Sequence, residues 1–361
     1  MPPGKTRIVH LAGGQLRQEA DNANTHIAVF EQAPVPHSFR SLFIDNYEDI
    51  RRECTSFGKP GLAVVALDRL RGTLCGSLCV AAKLDRPNSA IIGRHGMADL
   101  YLDGDSSLSL RHLVLIVSPI NNHDDVHFRI VDLRTSAGFY DEHGQRFEAL
   151  QAEGPLFIRC GSYVLYCLPT GDTTAWPEKA EDGWDCIPER VYLRGSVAEP
   201  DRWSRKQLRS KAKRMRSSIV DPEHEGQDRG GVTLVHSVAG PVRARARLLE
   251  PGEPPLGTLR ISAEAGIQTI VLGGRVALQG VLLGRYQRCD IDGVNVLTHD
   301  SISRVHLLII DIDGSLYAID AGSTHGTWLR SQQREVRITA LETGEELMLG
   351  EDLAVLRWSP A

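Results

Sequence analysis

Apolar residues along this chain gather in short runs, continuous or alternating, each bounded by glycine, proline, aspartate or asparagine. That is the pattern of strands joined by tight turns. Gly61 to Leu67 and Gly76 to Ala82 read as opening strands, joined by a turn around Asp68 to Gly72. Leu113 to Val117, Leu307 to Ile310, Leu316 to Ile319, Leu347 to Leu349 and Leu353 to Leu356 read as further strands. Helical spacing is confined to two places. Phe43, Tyr47, Ile50 and Cys54 recur at three- and four-residue intervals within Ser41 to Cys54 and predict one amphipathic helix packed on the first β module. Asp201 to Met215 and Arg216 is strongly basic and free of Pro and Gly, so a helix is predicted over 201–216. Asp201 lies near its start, and Trp203, Leu208, Ala212 and Met215 form a thin stripe able to dock on a domain. The polar, glycine-rich stretch from Glu223 to Gly231 reads as a loop, and Val232 to Val235 and Val242 to Leu248 as strands beside the second module.

Three short stretches near the C-terminus share a chemistry. They are Leu283-Gly284-Arg285, then Asp300-Ser301-Ile302-Ser303-Arg304-Val305-His306, then Ser323-Thr324-His325-Gly326-Thr327. A phosphomonoester carries about −1.5 to −2 charge and three acceptor oxygens, which favours planar, permanently charged donors. Arg285 supplies such a fork, Ser303 a further hydrogen bond, and Arg304 a second cation. Gly326 permits a turn at positive φ in the loop that leaves the Leu316 to Ile319 strand.

Together these motifs resemble the forkhead-associated (FHA) phosphothreonine-binding domain. The resemblance implies a sandwich of about eleven strands that presents a phosphopeptide to loops at one end. It also implies that Arg285 and Ser303 hold the phosphate, that Arg304 and Thr324 form the rim, and that His306, with Gly284 and Gly326, is structural. The family uses an asparagine to hold the peptide backbone where this chain has His325, which places peptide preference apart from the family pattern.

An upstream segment repeats the arrangement. Ile91-Ile92-Gly93-Arg94 is followed by Ser107-Leu108-Ser109-Leu110-Arg111-His112, and setting His112 on His306 places Ser109 on Ser303. Asp132 to Gly138 then falls on Asp320 to Gly326. This copy has Leu110 where the other has Arg304, and Ala137 where it has His325. Arg94, Ser109, Arg111 and Ser136 are therefore a degenerate second site, in a module that binds weakly or serves as a docking or spacer domain.

The expected fold is all-β: two FHA-type sandwiches joined by a basic helical linker. The boundaries are 1–58 for an N-terminal extension with one helix, 59–170 for the divergent sandwich, 171–231 for the linker and 232–361 for the near-intact sandwich. With 361 residues, 42% of them hydrophobic, the chain can build that many cores, and 34 Gly with 18 Pro suit many turns. A net charge of −5 argues against a surface built for nucleic acid, leaving 201–216 as the one basic candidate. The run Ile8 to Ala12 is too short for a secretory or membrane segment, and seven cysteines, an odd number, fit a reducing compartment, so a cytoplasmic protein is expected. Cys75 and Cys79, and Cys160 and Cys167, sit in apolar runs and read as buried small hydrophobes, not metal ligands. No nucleotide loop, zinc-protease, hydrolase-elbow or kinase signature is present, so no enzymatic activity, cofactor or metal is expected. The function these readings imply is an adaptor for a threonine-phosphorylated protein, with a Ser/Thr kinase writing the mark and self-association through the chain's own threonines as an option. The competing reading is a structural subunit making phosphate-independent contacts.

Overall fold

The structure is a computed structural model. It describes residues 35–120, 125–171, 176–194, 232–241, 248–289 and 296–361, with a parallel strand pair at Arg7–Ile8 and Ile27–Ala28. The helix expected over 201–216 and nearly all of the strand expected over 242–248 lie outside the described residues.

The described chain is mostly β, in antiparallel sheets with a few short helices. Two sandwiches account for it. In the C-terminal one, a six-stranded sheet runs in the order Gly266–Gly273, Pro255–Ala263, Ala354–Pro360, Glu346–Leu349, Thr327–Leu329, Arg334–Glu335. It faces a four-stranded sheet ordered Val281–Leu283, Leu307–Ile312, Ser315–Asp320, Ile338–Ala340. The N-terminal sandwich has a counterpart for each of these strands in the same order. Its six-stranded sheet runs Leu74–Ala81, Gly61–Asp68, Tyr163–Thr170, Leu156–Cys160, Phe139–Asp141, Arg146–Phe147, and its facing sheet contains Asn88–Gly93, Leu113–Val117, Phe128–Asp132, Ala149–Ala152. Register agrees as well. Leu113 lies opposite Ile92 and Asp132 in one sandwich, and Leu307 opposite Leu283 and Asp320 in the other.

Alternation explains how these strands serve two cores at once. Leu113, Leu115 and Val117 point into the N-terminal core, and Leu307 and Ile309 into the C-terminal one. The intervening residues, Val114 and Ile116 on one side and Leu308, Ile310 and Ile312 on the other, meet in a third apolar layer between the sandwiches, with Ile91, Val131, Leu133, Leu282 and Ile319. The layer is built from matching positions of the two sheets, so the sandwiches pack face to face through the same surface of each. Polar contacts border it: Arg337 pairs with Asp99, and the Arg129 guanidinium donates to the Leu278 carbonyl at 2.8 Å.

The single helix expected within Ser41 to Cys54 is two helices, Phe39–Asp45 and Tyr47–Ser56, broken at Asn46. Ser38 caps the first by accepting from the Ser41 N–H at 3.0 Å, and the Asn46 amide donates to the Leu42 and Gly72 carbonyls at 2.9 and 3.0 Å. Leu42, Phe43, Tyr47, Ile50 and Cys54 cover the outer face of the six-stranded sheet, against Ala63, Val65 and Tyr166.

Two boundaries differ from those read off the sequence. Val232–Val238, expected beside the C-terminal module, pairs antiparallel with Ala149–Ala152 and so belongs to the N-terminal sandwich. Glu189–Arg194, within the expected linker, adds a parallel strand to it. The physical reason is the sheet edge: Ala149–Ala152 uses one side for Phe128–Asp132 and offers a row of backbone donors and acceptors on the other, which Val232–Val238 satisfies. Trp176 and Trp184, also in the expected linker, pack beside the helices. Among the cysteines, Cys160 and Cys167 are in the core as expected, whereas Cys75 is exposed and Cys79 half-buried, because Leu74–Ala81 is an edge strand. No described helix is long and apolar enough to cross a membrane.

Burial of the shared layer ties the stability of each sandwich to the other's. Calorimetry of the full chain should show a single main transition, and Ile116→Asp, which buries an unpaired carboxylate in the layer, should split it or lower it by several degrees. An unshifted transition would show that the layer contributes nothing.

Candidate functional site

The C-terminal motifs converge at one end of their sandwich because backbone bonds tie their loops together. The Arg285 N–H donates to the Ser303 carbonyl at 3.1 Å and the Tyr286 N–H to the Arg304 carbonyl at 2.9 Å. This approach requires glycine at 284, since a Cβ there would lie 2.4 Å from the Arg304 carbonyl oxygen. Gly93 is under the same constraint, since a Cβ there would lie 2.4 Å from the Leu110 carbonyl oxygen. Gly326 sits at φ +71°, where the chain turns into the Thr327–Leu329 strand.

His306 is fully buried and fastens the loops. Its Nδ1 accepts the Ser303 N–H at 3.1 Å, which leaves the proton on Nε2, facing the Gly326 carbonyl at 3.1 Å. Burial lowers the imidazole pKa, against the pull of the Asp320 carboxylate, so the ring is neutral at pH 7. Asp320 orders the third loop, accepting from the Ser323 N–H, the Ser323 hydroxyl and the Thr327 hydroxyl, each at 2.6 Å. His112 repeats the arrangement in the N-terminal sandwich, with the Ser109 N–H at 3.0 Å and the Gly138 carbonyl at 2.9 Å. Asp132 there accepts from the Thr135 hydroxyl at 2.6 Å, and burial pushes its carboxyl up to about 6.

On this frame the Ser303 hydroxyl is central. The Thr324 N–H donates to it at 3.0 Å, and it lies 3.5 Å from the Thr324 hydroxyl. Arg285 donates from Nε to the Ile302 carbonyl at 3.3 Å, and one terminal nitrogen is 2.8 Å from the carboxylate of Asp300, an exposed residue. Arg304 and Thr324 are exposed at the rim. Nδ1 of His325, the residue expected to hold a peptide backbone, is 2.8 Å from the Glu351 carboxylate. Sequence reading missed Asp300, Glu351 and the ordering role of Asp320. Only Asp320 had a visible signal, the matching Asp132 at the end of the repeated strand.

The residues expected at a degenerate second site are brought together only in part. Arg94 donates from Nε to the Leu108 carbonyl at 3.1 Å, the counterpart of Arg285 on Ile302. Arg111, expected beside that clamp, points the other way. Its Nε donates to the Gly322 carbonyl at 2.8 Å, and a terminal nitrogen is 3.4 Å from the Ser303 hydroxyl oxygen in the opposite sandwich. Its place matches that of Val305, which packs against the layer between the sheets, so this position faces the partner sandwich in both copies. Burial lowers the Arg111 pKa, Arg304 pushes it the same way and Asp320 opposes them.

Residues 281–350 match the family model of the FHA domain, so the chain carries one FHA domain, in its C-terminal sandwich. FHA domains are in general phosphothreonine-binding modules. The chain is similar to the FHA domain-containing protein PS1 of Arabidopsis thaliana, at 36% identity over 85 residues, which is 22% of this chain and 6% of that protein. The chain thus spans a small part of this relative's length. Among solved structures it is similar to Mycobacterium tuberculosis Rv1747 FHA-1, at 28% identity and a TM-score of 0.24, over 30% of this chain and 99% of that one. It is also similar to Mycobacterium tuberculosis EmbR in complex with a low-affinity phosphopeptide, at 18% identity and a TM-score of 0.24, over 32% of this chain and 27% of that one.

His306→Ala should strand the buried Ser303 N–H and Gly326 carbonyl, at about 1–3 kcal/mol each, and Gly284→Ala should force the Arg285 and Ser303 loops apart. Chemical denaturation checks both, and a loss below 1 kcal/mol in either would contradict the loop framework described.

Proposed function

We propose that the chain is a non-enzymatic, intracellular adaptor that binds a threonine-phosphorylated protein through its C-terminal FHA domain. The observation that carries this reading is the seating of the Arg285 fork and the Ser303 hydroxyl on two loops cross-linked by the Arg285 N–H to Ser303 carbonyl bond. Arg285 is only partly covered, and its carboxylate partner Asp300 is 91% exposed. An ion pair that open to water is worth no more than about 1 kcal/mol, so a phosphate dianion can displace it. The dianion would take the arginine fork bidentately and the serine hydroxyl as a further donor. Arg304 and Thr324 form the rim that meets flanking peptide, and His325 is the group placed to contact the peptide backbone once it leaves Glu351.

The N-terminal sandwich is, in this reading, a diverged copy of the same domain. Identical strand order, matching register and the His112 bonds support that assignment. Leu110 and Ala137 stand where the C-terminal copy has Arg304 and His325, so the rim and backbone-contacting groups are lost while Arg94, Ser109 and the frame persist. The mark requires a Ser/Thr kinase acting on the partner or on this chain's own threonines. A phosphate-independent structural role is favoured by one observation alone, the broad apolar layer through which the N-terminal sandwich is already engaged.

Titrating the full chain with an oriented phosphothreonine peptide library should yield a selected peptide whose binding needs the phosphate. Arg285→Ala should weaken it about 100-fold or more, from the loss of paired charge-assisted bonds of about 1.5–3 kcal/mol each, whereas Arg94→Ala should change it little. Equal losses would overturn this ranking of the two sandwiches. His325→Asn should shift the selected sequence around the phosphothreonine; an unchanged profile would show that His325 does not read the peptide.

A further inference from the structure

We propose that the phosphothreonine site is composite: Arg111, from the N-terminal sandwich, is a direct phosphate ligand of the C-terminal FHA domain. This deepens the phosphothreonine reading of the Arg285 and Ser303 site and rests on it.

The geometry is the first support. Ser303 supplies the hydroxyl expected to meet a phosphate oxygen, and an Arg111 terminal nitrogen already lies 3.4 Å from that hydroxyl oxygen. An acceptor that takes the Ser303 hydrogen therefore comes within reach of the guanidinium. Arg111 is aimed by its own Nε, which donates to the Gly322 carbonyl at 2.8 Å at the base of the loop bearing Thr324. That bond uses one N–H and leaves a terminal nitrogen facing Ser303, where a guanidinium suits phosphate.

Charge is the second. Arg111 is half-buried, and among the described residues no carboxylate forms an ion pair with it. Asp320, the nearest acidic influence, has its oxygens taken by Ser323 and Thr327. A partly desolvated cation held by a carbonyl and a hydroxyl, with Arg304 nearby, is compensated only at a distance by Asp320, and a dianion at Ser303 supplies a direct counter-charge.

Rigidity is the third. The apolar layer fixes one sandwich on the other, so Arg111 is presented with little further loss of side-chain freedom on binding. The diverged sandwich then serves the intact one as the carrier of a ligand, which accounts for a module that keeps its frame while losing its own rim.

The test uses the full chain and the phosphothreonine peptide that the wild-type chain selects from an oriented library. Affinity is read by fluorescence anisotropy, and the bound phosphate's second ionisation by ³¹P NMR. Arg111→Gln should weaken binding about tenfold or more and raise the pKa of the bound phosphate, since a direct cation favours the dianion. Arg111→Met, which keeps the aliphatic stem in the interface, should do the same and stands in if the glutamine variant fails to fold. Normal binding by both variants overturns the composite site and leaves the phosphothreonine reading intact. Weaker binding with an unchanged phosphate titration also overturns it, because Arg111 would then only pin the sandwiches together. No phosphate-dependent binding by the wild-type chain overturns both.

Discussion

The strands Leu113–Val117 and Leu307–Ile312 are buried on both faces, and the arrangement of the molecule follows from that. Either sandwich standing alone would expose the outer face of the sheet that holds this strand. Here Val114, Ile116, Leu308 and Ile310 turn that face apolar on both copies, and the two surfaces can leave water only against each other. Each such side chain contributes about 1.5–3 kcal/mol when fully buried. Because matching positions meet, the sandwiches face each other in a near-symmetric way, and each site's neighbouring loops come to lie beside the other sheet.

That packing also explains the cations at its border. Arg129 is enclosed by it, and burial pulls the guanidinium down to about 10 while leaving it charged at neutral pH. It is held by the Leu278 carbonyl at 2.8 Å and the Ala239 carbonyl at 3.3 Å, the former in the last turn of the helix Gly274–Gln279, where the dipole favours a cation. Arg134 and Arg288 each donate to the other's backbone carbonyl across the same border. Arg129 fixes orientation most, because a guanidinium bound to carbonyls tolerates little displacement where water is largely excluded.

The two sandwiches share their loop framework and differ at the rim. The buried imidazole, the glycine at the close approach and the carboxylate that orders the third loop are present in both. Losing any of them would leave buried donors or acceptors unpaired, a penalty to folding itself. Leu110 and Ala137 replace residues at the rim, where substitution leaves the sandwich intact and changes only what it can hold.

Much of this was legible in the sequence. Alternating apolar runs gave the strands, and the paired Gly-Arg, Ser-x-x-His and Asp-to-Gly segments located both loop clusters, since the same residue types recur there at matching spacing. Helical periodicity found the segment before Cys54 but not its break, because the Asn46 side chain satisfies carbonyls of both Leu42 and Gly72, a contact between distant parts of the chain. The strand at Val232–Val238 was recognised as a strand and assigned to the wrong sandwich, since an alternating run names no partner and the open edge at Ala149–Ala152 exists only after folding. Arg111 is the clearest case. Its sequence neighbours Ser109 and His112 belong to the N-terminal cluster, while its side chain lies at Ser303 of the other. Local sequence determines which residues form a loop and which way they alternate; the tertiary docking of two apolar sheet faces alone decides which loop stands across from them.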